Sequence, residues 1–235
     1  MSKTMYLLSL VLSVLSLAAI SPAAEQVGQT PYPNMAALEK YLSASPSAEI
    51  ALARSAGPAS VSDKAEIRVL GAHGYETAVK GTNGFVCYVA RSWDNDVDNA
   101  DFWNPKLRGP MCLNPAAVRS YLPIYLQRTQ WVLSGVSRTA IVDRTKAAIA
   151  AEQITTPEAG SMAFMLSKDG YLGDSAGGPW HPHVMFWGPP AAGAGWGADL
   201  PGSPVLSNPS DLLPLTLFFV PVPKWSDGTL ATYSR

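Results

Sequence analysis

The density of proline and glycine in the C-terminal part of the chain constrains the fold more than any other feature of the sequence. Residues 170–235 contain 10 of the 20 prolines and 10 of the 19 glycines. Because proline fixes φ and lacks an amide hydrogen, and glycine frees the backbone, this region cannot form long helices. We therefore expect ordered loops that cross a small sheet. Loops displayed on a rigid sheet are also where binding sites tend to lie.

The hydrophobic pattern predicts both helices and strands. Strands are predicted over 67–70, 75–79, 85–89, 161–166, 184–187 and 215–220. The first three are expected to form a meander, with an Asn83-Gly84 turn between the second and the third. Helices are predicted over 35–42, over 46–56, after a cap at Asn114 with a kink or division at Pro123, and over 139–152. The sequence thus predicts an α+β fold: a mostly antiparallel sheet with flanking helices and a long Pro/Gly-rich loop region.

The N-terminus has the pattern of a secretory signal peptide. Lys3 precedes an apolar run over 7–20, which only small serines interrupt and which is too short to span a bilayer well. Small residues at Ser21 and Ala23 suit a signal peptidase, so we expect cleavage after Ala23 or Ala24. A retained N-terminal anchor is the alternative interpretation.

Composition and charge agree with an exported domain. The chain is 47% hydrophobic and only 15% charged, against a usual charged share of about 25%, which indicates a chain that folds and is not disordered. Its net charge of -1 gives no electrostatic basis for binding nucleic acid or an anionic membrane. No later segment offers about 18 uninterrupted apolar residues, so we expect no stable membrane insertion of the mature chain. The predicted organisation is a signal peptide over 1–24 and a single domain over 25–235, periplasmic or secreted.

The two cysteines, Cys87 and Cys112, are predicted to form a disulfide. Disulfides persist in oxidising compartments, and export would place both thiols in one. A catalytic thiol and a metal ligand are the alternatives. Catalysis is disfavoured because Cys87 lies in an apolar, strand-like run, and apolar surroundings raise the pKa of a thiol and weaken it as a nucleophile.

Ser175 is a weak candidate for a catalytic nucleophile. The segment Gly173-Asp174-Ser175-Ala176-Gly177-Gly178 satisfies G-x-S-x-G and resembles the nucleophile elbow of the hormone-sensitive-lipase branch of α/β-hydrolases. It also resembles the trypsin-family Gly-Asp-Ser-Gly-Gly-Pro with one alanine inserted. No helix can begin in the Gly- and Pro-rich residues that follow, and the inserted residue would displace the oxyanion-hole amides. A glycine-rich structural loop is the alternative.

His181 and His183 are candidate metal ligands. Residues two apart in an extended segment share a face, so both imidazoles can reach one ion, with His73 or Asp174 completing the set. Zinc or another divalent metal would suit such a site and could activate water for hydrolysis. The structural alternative is that the pair shapes the entry to a strand, with ring nitrogens bonded to loop carbonyls.

Residues 94–101 form an acidic run with alternating aspartates that resembles the start of a calcium loop. The pattern then departs from an EF-hand, because Asn99 stands where glycine is needed and Pro105 stands where a bidentate glutamate is needed. We therefore expect a solvated acidic loop inside the disulfide ring.

Three tryptophans, Trp180, Trp187 and Trp196, fall in the loop-rich region and are candidate ligand contacts together with Asp174. Flat rings can stack on sugar faces. No pair of carboxylates is recognisable as the acid and base of a glycosidase there, since Asp174 and Asp199 are the only acids between residues 170 and 210. Packing in the core is the ordinary role of such side chains.

Six further segments, spread over most of the mature chain, form a recognisable set. They are Gly81-Thr82-Asn83-Gly84-Phe85-Val86-Cys87, Pro110-Met111-Cys112, Tyr171-Leu172-Gly173-Asp174, His181-Pro182-His183-Val184-Met185-Phe186, Phe218-Phe219-Val220-Pro221-Val222 and Trp225-Ser226-Asp227-Gly228. Together they resemble a family of exported bacterial proteins with no assigned activity. The resemblance implies a signal peptide and a single domain, and it transfers no catalytic role to any residue.

The leading functional hypothesis is a non-catalytic extracytoplasmic binding or structural module that uses the loops around Trp180 to Trp196. The competing hypothesis is a metal-dependent hydrolase that uses His181 and His183. A serine hydrolase that uses Ser175 is the third possibility considered.

Overall fold

The computed structural model describes residues 31–174 and 181–232, and these fold around one eight-stranded sheet. The strands are β1 (Glu66–Gly71), β2 (Gly74–Val79), β3 (Val86–Ala90), β4 (Gly109–Leu113), β5 (Met162–Met165), β6 (His183–Gly188), β7 (Leu206–Pro209) and β8 (Thr216–Pro221). Their spatial order is β2-β1-β3-β4-β5-β6-β8-β7. β1 and β3 pair in parallel, and the other six neighbouring pairs are antiparallel. The predicted α+β class and mostly antiparallel sheet are confirmed. The predicted signal peptide lies outside the described residues.

Helices cover both faces of this sheet. They are α1 (Pro46–Arg54), α2 (Ala59–Ser62), α3 (Pro115–Ser120), α4 (Leu122–Leu133) and α5 (Arg138–Ala150). The predicted cap at Asn114 is present, since its Oδ1 accepts from the Ala117 amide at 3.0 Å. Ser45 caps α1, where its Oγ accepts from the Ala48 amide at 3.1 Å. The predicted division of this segment is present at Tyr121, two residues before Pro123, which lies in the first turn of α4. Among the described residues, none of the helices has the length and apolar character needed to cross a membrane.

The predicted meander of the first three strands is wrong. β1 and β2 form a hairpin that closes at Gly71 and Gly74, and β3 then joins the other side of β1 in parallel. The connection from β2 to β3 is not a tight hairpin, because the chain first returns to the start of β1. There the Thr82 amide donates to the Lys64 carbonyl at 2.8 Å. Gly81 permits this return, since a Cβ there would lie 2.1 Å from the Glu66 amide nitrogen.

Three further elements differ from the prediction. The helix predicted over 35–42 is a short 3-10 turn at Leu38–Lys40. β4 was not predicted because its Gly109-Pro110 start has poor strand propensity, yet all five of its residues are buried at the centre of the sheet. β7 was not predicted either, and as an edge strand it tolerates Pro209.

The disulfide between Cys87 and Cys112 is confirmed. The two residues are directly paired across β3 and β4, and both are fully buried. They lie on the sheet face that α1 covers, in a small apolar cluster with Ala53 of α1 and Ile67 of β1. The opposite face supports the larger core, in which Tyr88 packs with residues of α3, α4 and α5.

A buried ion pair ties α1 to the end of β3. Glu49 Oε2 accepts from Arg91 Nη2 at 2.6 Å, and neither side chain is more than 2% exposed. Glu49 also accepts from the Ser43 hydroxyl at 2.6 Å and from the Leu70 amide at 3.0 Å. Arg91 Nε donates to the Tyr41 carbonyl at 2.7 Å. Every group of this network is therefore bonded inside the fold.

Candidate ligand-binding cleft

A cleft of about 250 Å³ opens on the face of the sheet opposite the disulfide. Its floor consists of side chains from neighbouring strands: Met111 of β4, Met165 of β5, His183, Met185 and Trp187 of β6, and Phe219 of β8. These residues share one face because directly paired residues point the same way and alternate residues of a strand return to the same face. The floor is therefore almost entirely apolar.

The rim of the cleft includes Asp94, Asn95, Asp96 and Asn99, which belong to the predicted acidic run, together with Asn208 of β7 and Ser210, which directly follows β7. Two arginines hold the acidic segment from the helix side. Arg128 of α4 donates to the Asn95 carbonyl at 3.1 Å, and Arg138 of α5 donates to the Val97 carbonyl at 2.6 Å and to the Asn99 carbonyl at 3.0 Å. Both guanidinium groups thus bond main-chain carbonyls of the loop.

The prediction of a solvated acidic loop is only partly correct. Asp96 and Asp98 are exposed, but Asp94 is half-buried and Asp101 is 1% exposed. Asp101 accepts from Asn104 Nδ2 at 2.8 Å, so its carboxylate organises the loop from inside. Over the two described stretches of the chain, no three His, Cys, Asp or Glu side chains are grouped so that they could hold a metal ion.

Asp94 is the carboxyl group at the lip of the cleft. Its Oδ1 accepts from the Tyr121 hydroxyl at 2.8 Å, and the Tyr121 ring stacks on Trp187 with centroids 4.3 Å apart. Burial raises the pKa of Asp94 to about 6, and the Tyr121 hydrogen bond and the charge of Arg128 offset only part of that effect. The pKa of Asp96 is also raised, by burial and by the charge of Asp98.

The structure places His73 far from the other two predicted metal ligands, His181 and His183. His183 lies on the cleft floor, and its Nδ1 is 2.9 Å from the His181 carbonyl oxygen, as the structural alternative expected. Burial lowers the pKa of His183. His73 is exposed in the turn between β1 and β2 and accepts from Gln130 through its carbonyl. Because β3, β4 and β5 lie between β1 and β6, about 19 Å separates the two strands, and His73 does not join the pair.

The serine motif falls partly outside the described residues, which omit both Ser175 and Trp180. The structure explains why the first residue of the motif, Gly173, is glycine. Its φ is 129°, and a Cβ there would lie 2.6 Å from Asp101 Oδ2. Asp174 accepts from Tyr32 and Tyr171 and lies 3.9 Å from Lys106 Nζ, and these partners lower its pKa. It does not line the cleft.

Two of the three candidate tryptophans, Trp187 and Trp196, lie in the described residues, and they are on opposite faces of the sheet. Trp187 forms part of the cleft floor. Trp196 instead stacks on Phe218 with centroids 4.3 Å apart and is 46% exposed. Of the predicted ligand contacts in the described chain, the cleft therefore includes Trp187 and excludes Trp196 and Asp174.

Sequence reasoning did not identify the three methionines of the floor or the role of Asp94. One signal was available for Met185, which follows His183 by two residues in a predicted strand and therefore shares its face. Met111 had no such signal because its strand was not predicted. The burial of Asp94 depends on α3 and α4, which pack against the loop in space.

Comparisons with protein-family models, with curated proteins and with solved structures found no match to this chain. The resemblance to a family of exported bacterial proteins therefore stays a prediction from sequence.

Proposed function

We propose that the protein is an exported, non-catalytic binding module whose cleft holds a small organic cation with an apolar body. The observation that supports this most directly is the placement of Asp94 at the lip of an apolar cleft, where a neutral hydroxyl, that of Tyr121, is the one side-chain donor to its carboxyl group among the described residues. A ligand ammonium group could pair with this carboxylate while its apolar part covers the floor.

The size of the cleft favours a small ligand. Its volume of about 250 Å³ lies below the range of about 300–1,000 Å³ that is typical of sites for drug-sized molecules. Met111, Met165 and Met185 give the floor a deformable apolar surface, because methionine is unbranched and polarisable. Such a surface suits a single ring or a short branched chain.

The distribution of charge favours a cation. No Lys or Arg occurs between Lys168 and Lys224, the segment that provides β6, β7 and β8. None of the described residues that line the cleft is Lys or Arg either. Asp94 and Asp96 lie at the rim, and Asp211 is near enough to raise the pKa of Asp96. A cleft lined by one sign of charge attracts ligands of the opposite sign.

Export is supported by the predicted leader over 1–24 and by the buried disulfide, which persists in oxidising compartments. In the periplasm or outside the cell, a module of this kind would sequester or deliver its ligand. The binding role, like the export, is a proposal from these features.

The experiment compares benzylamine, benzyl alcohol and benzoate, which share one ring and differ in charge. Calorimetric titration of the purified protein near pH 7.5 should rank them in that order, with benzylamine bound most tightly. Asp94→Asn should remove most of the preference for benzylamine over benzyl alcohol, roughly tenfold, because the charge-assisted hydrogen bond is lost. Asp174→Asn, which changes an exposed carboxylate outside the cleft, is the matched control and should leave the ranking unchanged.

Equal affinity for all three compounds would contradict the proposal. A preference for benzylamine that survives in Asp94→Asn would also contradict it, because the cation would then be recognised elsewhere.

A further inference from the structure

A second cavity, of about 320 Å³, lies between α4, the C-terminal end of α5 and the chain that follows α5. Among the described residues, none lines both this cavity and the cleft. Its volume falls within the range of about 300–1,000 Å³ that is typical of small-molecule sites. The cavity is therefore large enough to be a binding site of its own.

One wall of the second cavity is a stripe along α4. Ile124, Gln127 and Trp131 line the cavity at spacings of three and four residues, which places them on one face of the helix. Ile124 is buried, Trp131 is half-buried and Gln127 is exposed. This wall therefore offers a flat aromatic ring and an amide to a ligand that enters from solvent.

The other wall is the chain that leaves α5, and an unusual helix end directs it there. The Glu152 amide donates to the Ile149 carbonyl at 3.0 Å. The Gln153 amide donates to the Ala148 carbonyl at 2.9 Å, which completes a Schellman motif. Glycine is the usual residue at the position of Glu152, whose φ is 55°. Strained residues of this kind cluster at ligand sites. The residues that follow the turn line the cavity: Gln153, Ile154 and Thr155.

The lining of the second cavity has several hydrogen-bonding groups and, among the described residues, one charged side chain, Arg119. Arg119 donates to both carboxylate oxygens of Glu158, at 2.9 and 2.6 Å, so its charge is already paired. The side chains of Gln127, Gln153 and Thr155 make no hydrogen bond with another residue in the described stretches. Amides and hydroxyls both donate and accept, as the hydroxyls of a ligand do. The lining therefore matches a neutral ligand that is rich in hydroxyls.

From this lining we infer that the second cavity binds a neutral pyranose sugar, with the sugar ring stacked on Trp131. One face of a pyranose ring carries C–H groups, which pack on a flat aromatic ring. The hydroxyls at the edge of the sugar ring then meet the amides of Gln127 and Gln153. This inference does not depend on the organic cation proposed above, because the two sites have different linings and only the cleft includes Asp94.

The test follows the indole N–H resonance of Trp131 in isotope-labelled protein, identified as the signal that Trp131→Phe lacks. Glucose, galactose and N-acetylglucosamine are the neutral probes, and glucosamine and glucuronate are the matched charged probes. We expect a saturable shift of the Trp131 resonance with at least one neutral sugar, and weaker binding of both charged sugars at this site. The resonance of Trp196, which is exposed on another surface, should not move.

Three variants test the roles of the side chains, with affinities measured by saturation-transfer NMR on the sugar. Trp131→Ala should weaken binding of the neutral sugar by about tenfold or more, because the stacking surface is lost. Gln127→Leu should weaken it by about fivefold, because a hydrogen bond is lost. Trp196→Ala, which removes a tryptophan outside this cavity, is the matched control and should leave sugar binding unchanged. Circular dichroism verifies that each variant is folded.

Three results would overturn the inference: no saturable shift of the Trp131 resonance with any of the three neutral sugars, glucuronate binding at this site as tight as that of the neutral sugar, and full affinity in folded Trp131→Ala. Benzylamine titration distinguishes this failure from that of the proposed function. Trp131→Ala should leave benzylamine binding intact, and Asp94→Asn should leave sugar binding intact.

Discussion

Glu49 and Asp94 are two carboxyl groups that the fold removes from bulk water in different ways. Glu49 pairs with the Arg91 guanidinium and accepts from a hydroxyl and an amide, all within the protein. The Asp94 carboxyl group accepts a hydrogen bond from the Tyr121 hydroxyl, while the nearby Arg128 guanidinium donates to main-chain carbonyls. The first carboxylate is compensated within the fold, and the second has a charge that a ligand can still neutralise. Burial alone therefore does not distinguish a structural carboxyl group from a candidate binding group. The charged and hydrogen-bonding partners of the carboxyl group make that distinction.

The strongest test of this comparison removes the compensation of Glu49. Arg91→Leu should lower the free energy of unfolding by about 3–5 kcal/mol, because it leaves a carboxylate buried without its counter-ion. Urea denaturation at pH 7 measures the loss. Arg119→Leu breaks the exposed pair of Arg119 with Glu158 and should lower the free energy of unfolding far less, because solvent screens an exposed pair. Similar losses in the two variants would show that the Glu49 network is not the structural element described here.

A second test uses the pH dependence of stability at Asp94. Its pKa in the folded protein, about 6, is above the ordinary value of 3.8, so the folded state binds the proton more tightly. The Asp94 contribution to stability is therefore largest below pH 4, is lost as pH rises from 4 to 6, and is constant above that. As pH rises from 4 to 7, the unfolding free energies of wild type and Asp94→Asn should therefore diverge by about 3 kcal/mol in favour of the variant.

The control for this measurement is the set of groups around Asp94. Tyr121, Arg128 and Asp96 act on its charge, and His183 lines the same cleft. Subtracting the Asp94→Asn curve from the wild-type curve removes the contributions of the other groups that both proteins share. If the difference in unfolding free energy between wild type and Asp94→Asn stays constant between pH 4 and pH 7, Asp94 titrates like an exposed aspartate and the prediction is wrong.

The smallest expected effect comes from Tyr121→Phe. This change removes the hydroxyl that donates to the Asp94 carboxylate and retains the ring that stacks on Trp187. The pH at which benzylamine binding reaches half its maximum should shift upward, because the charged carboxylate loses a hydrogen bond. The cost in stability should be about 1 kcal/mol. A downward shift would reverse the proposed role of the hydroxyl.

Local features of the fold could be predicted from the sequence because local chemistry determines them. The caps at Ser45 and Asn114 and the strand that contains Cys87 all follow from neighbouring residues. The strand order could not be predicted, because the parallel pairing of β1 with β3 depends on where the chain returns after β2. β4 could not be predicted because it begins with Gly109-Pro110, two residue types with low strand propensity. In a fully buried strand, packing against neighbouring strands outweighs such propensity.

The candidate site was less predictable than the fold. The cleft combines Asp94, Met111 and Phe219, which are far apart in the sequence and meet only through the sheet. His183 was identified from its spacing to His181, but the proposed third ligand, His73, was wrongly grouped with them because spacing contains no information on strand order. The burial that raises the pKa of Asp94 is likewise a property of the packed helices.

The disulfide also has a consequence for the opposite side of the sheet. A slip of one residue between two strands turns every side chain of the moving strand to the other face. The covalent bond between Cys87 and Cys112 forbids that slip between β3 and β4, and Met111 is the immediate neighbour of Cys112. Oxidation of two sulfurs on one surface therefore fixes which residues β3 and β4 present to the cleft on the other surface.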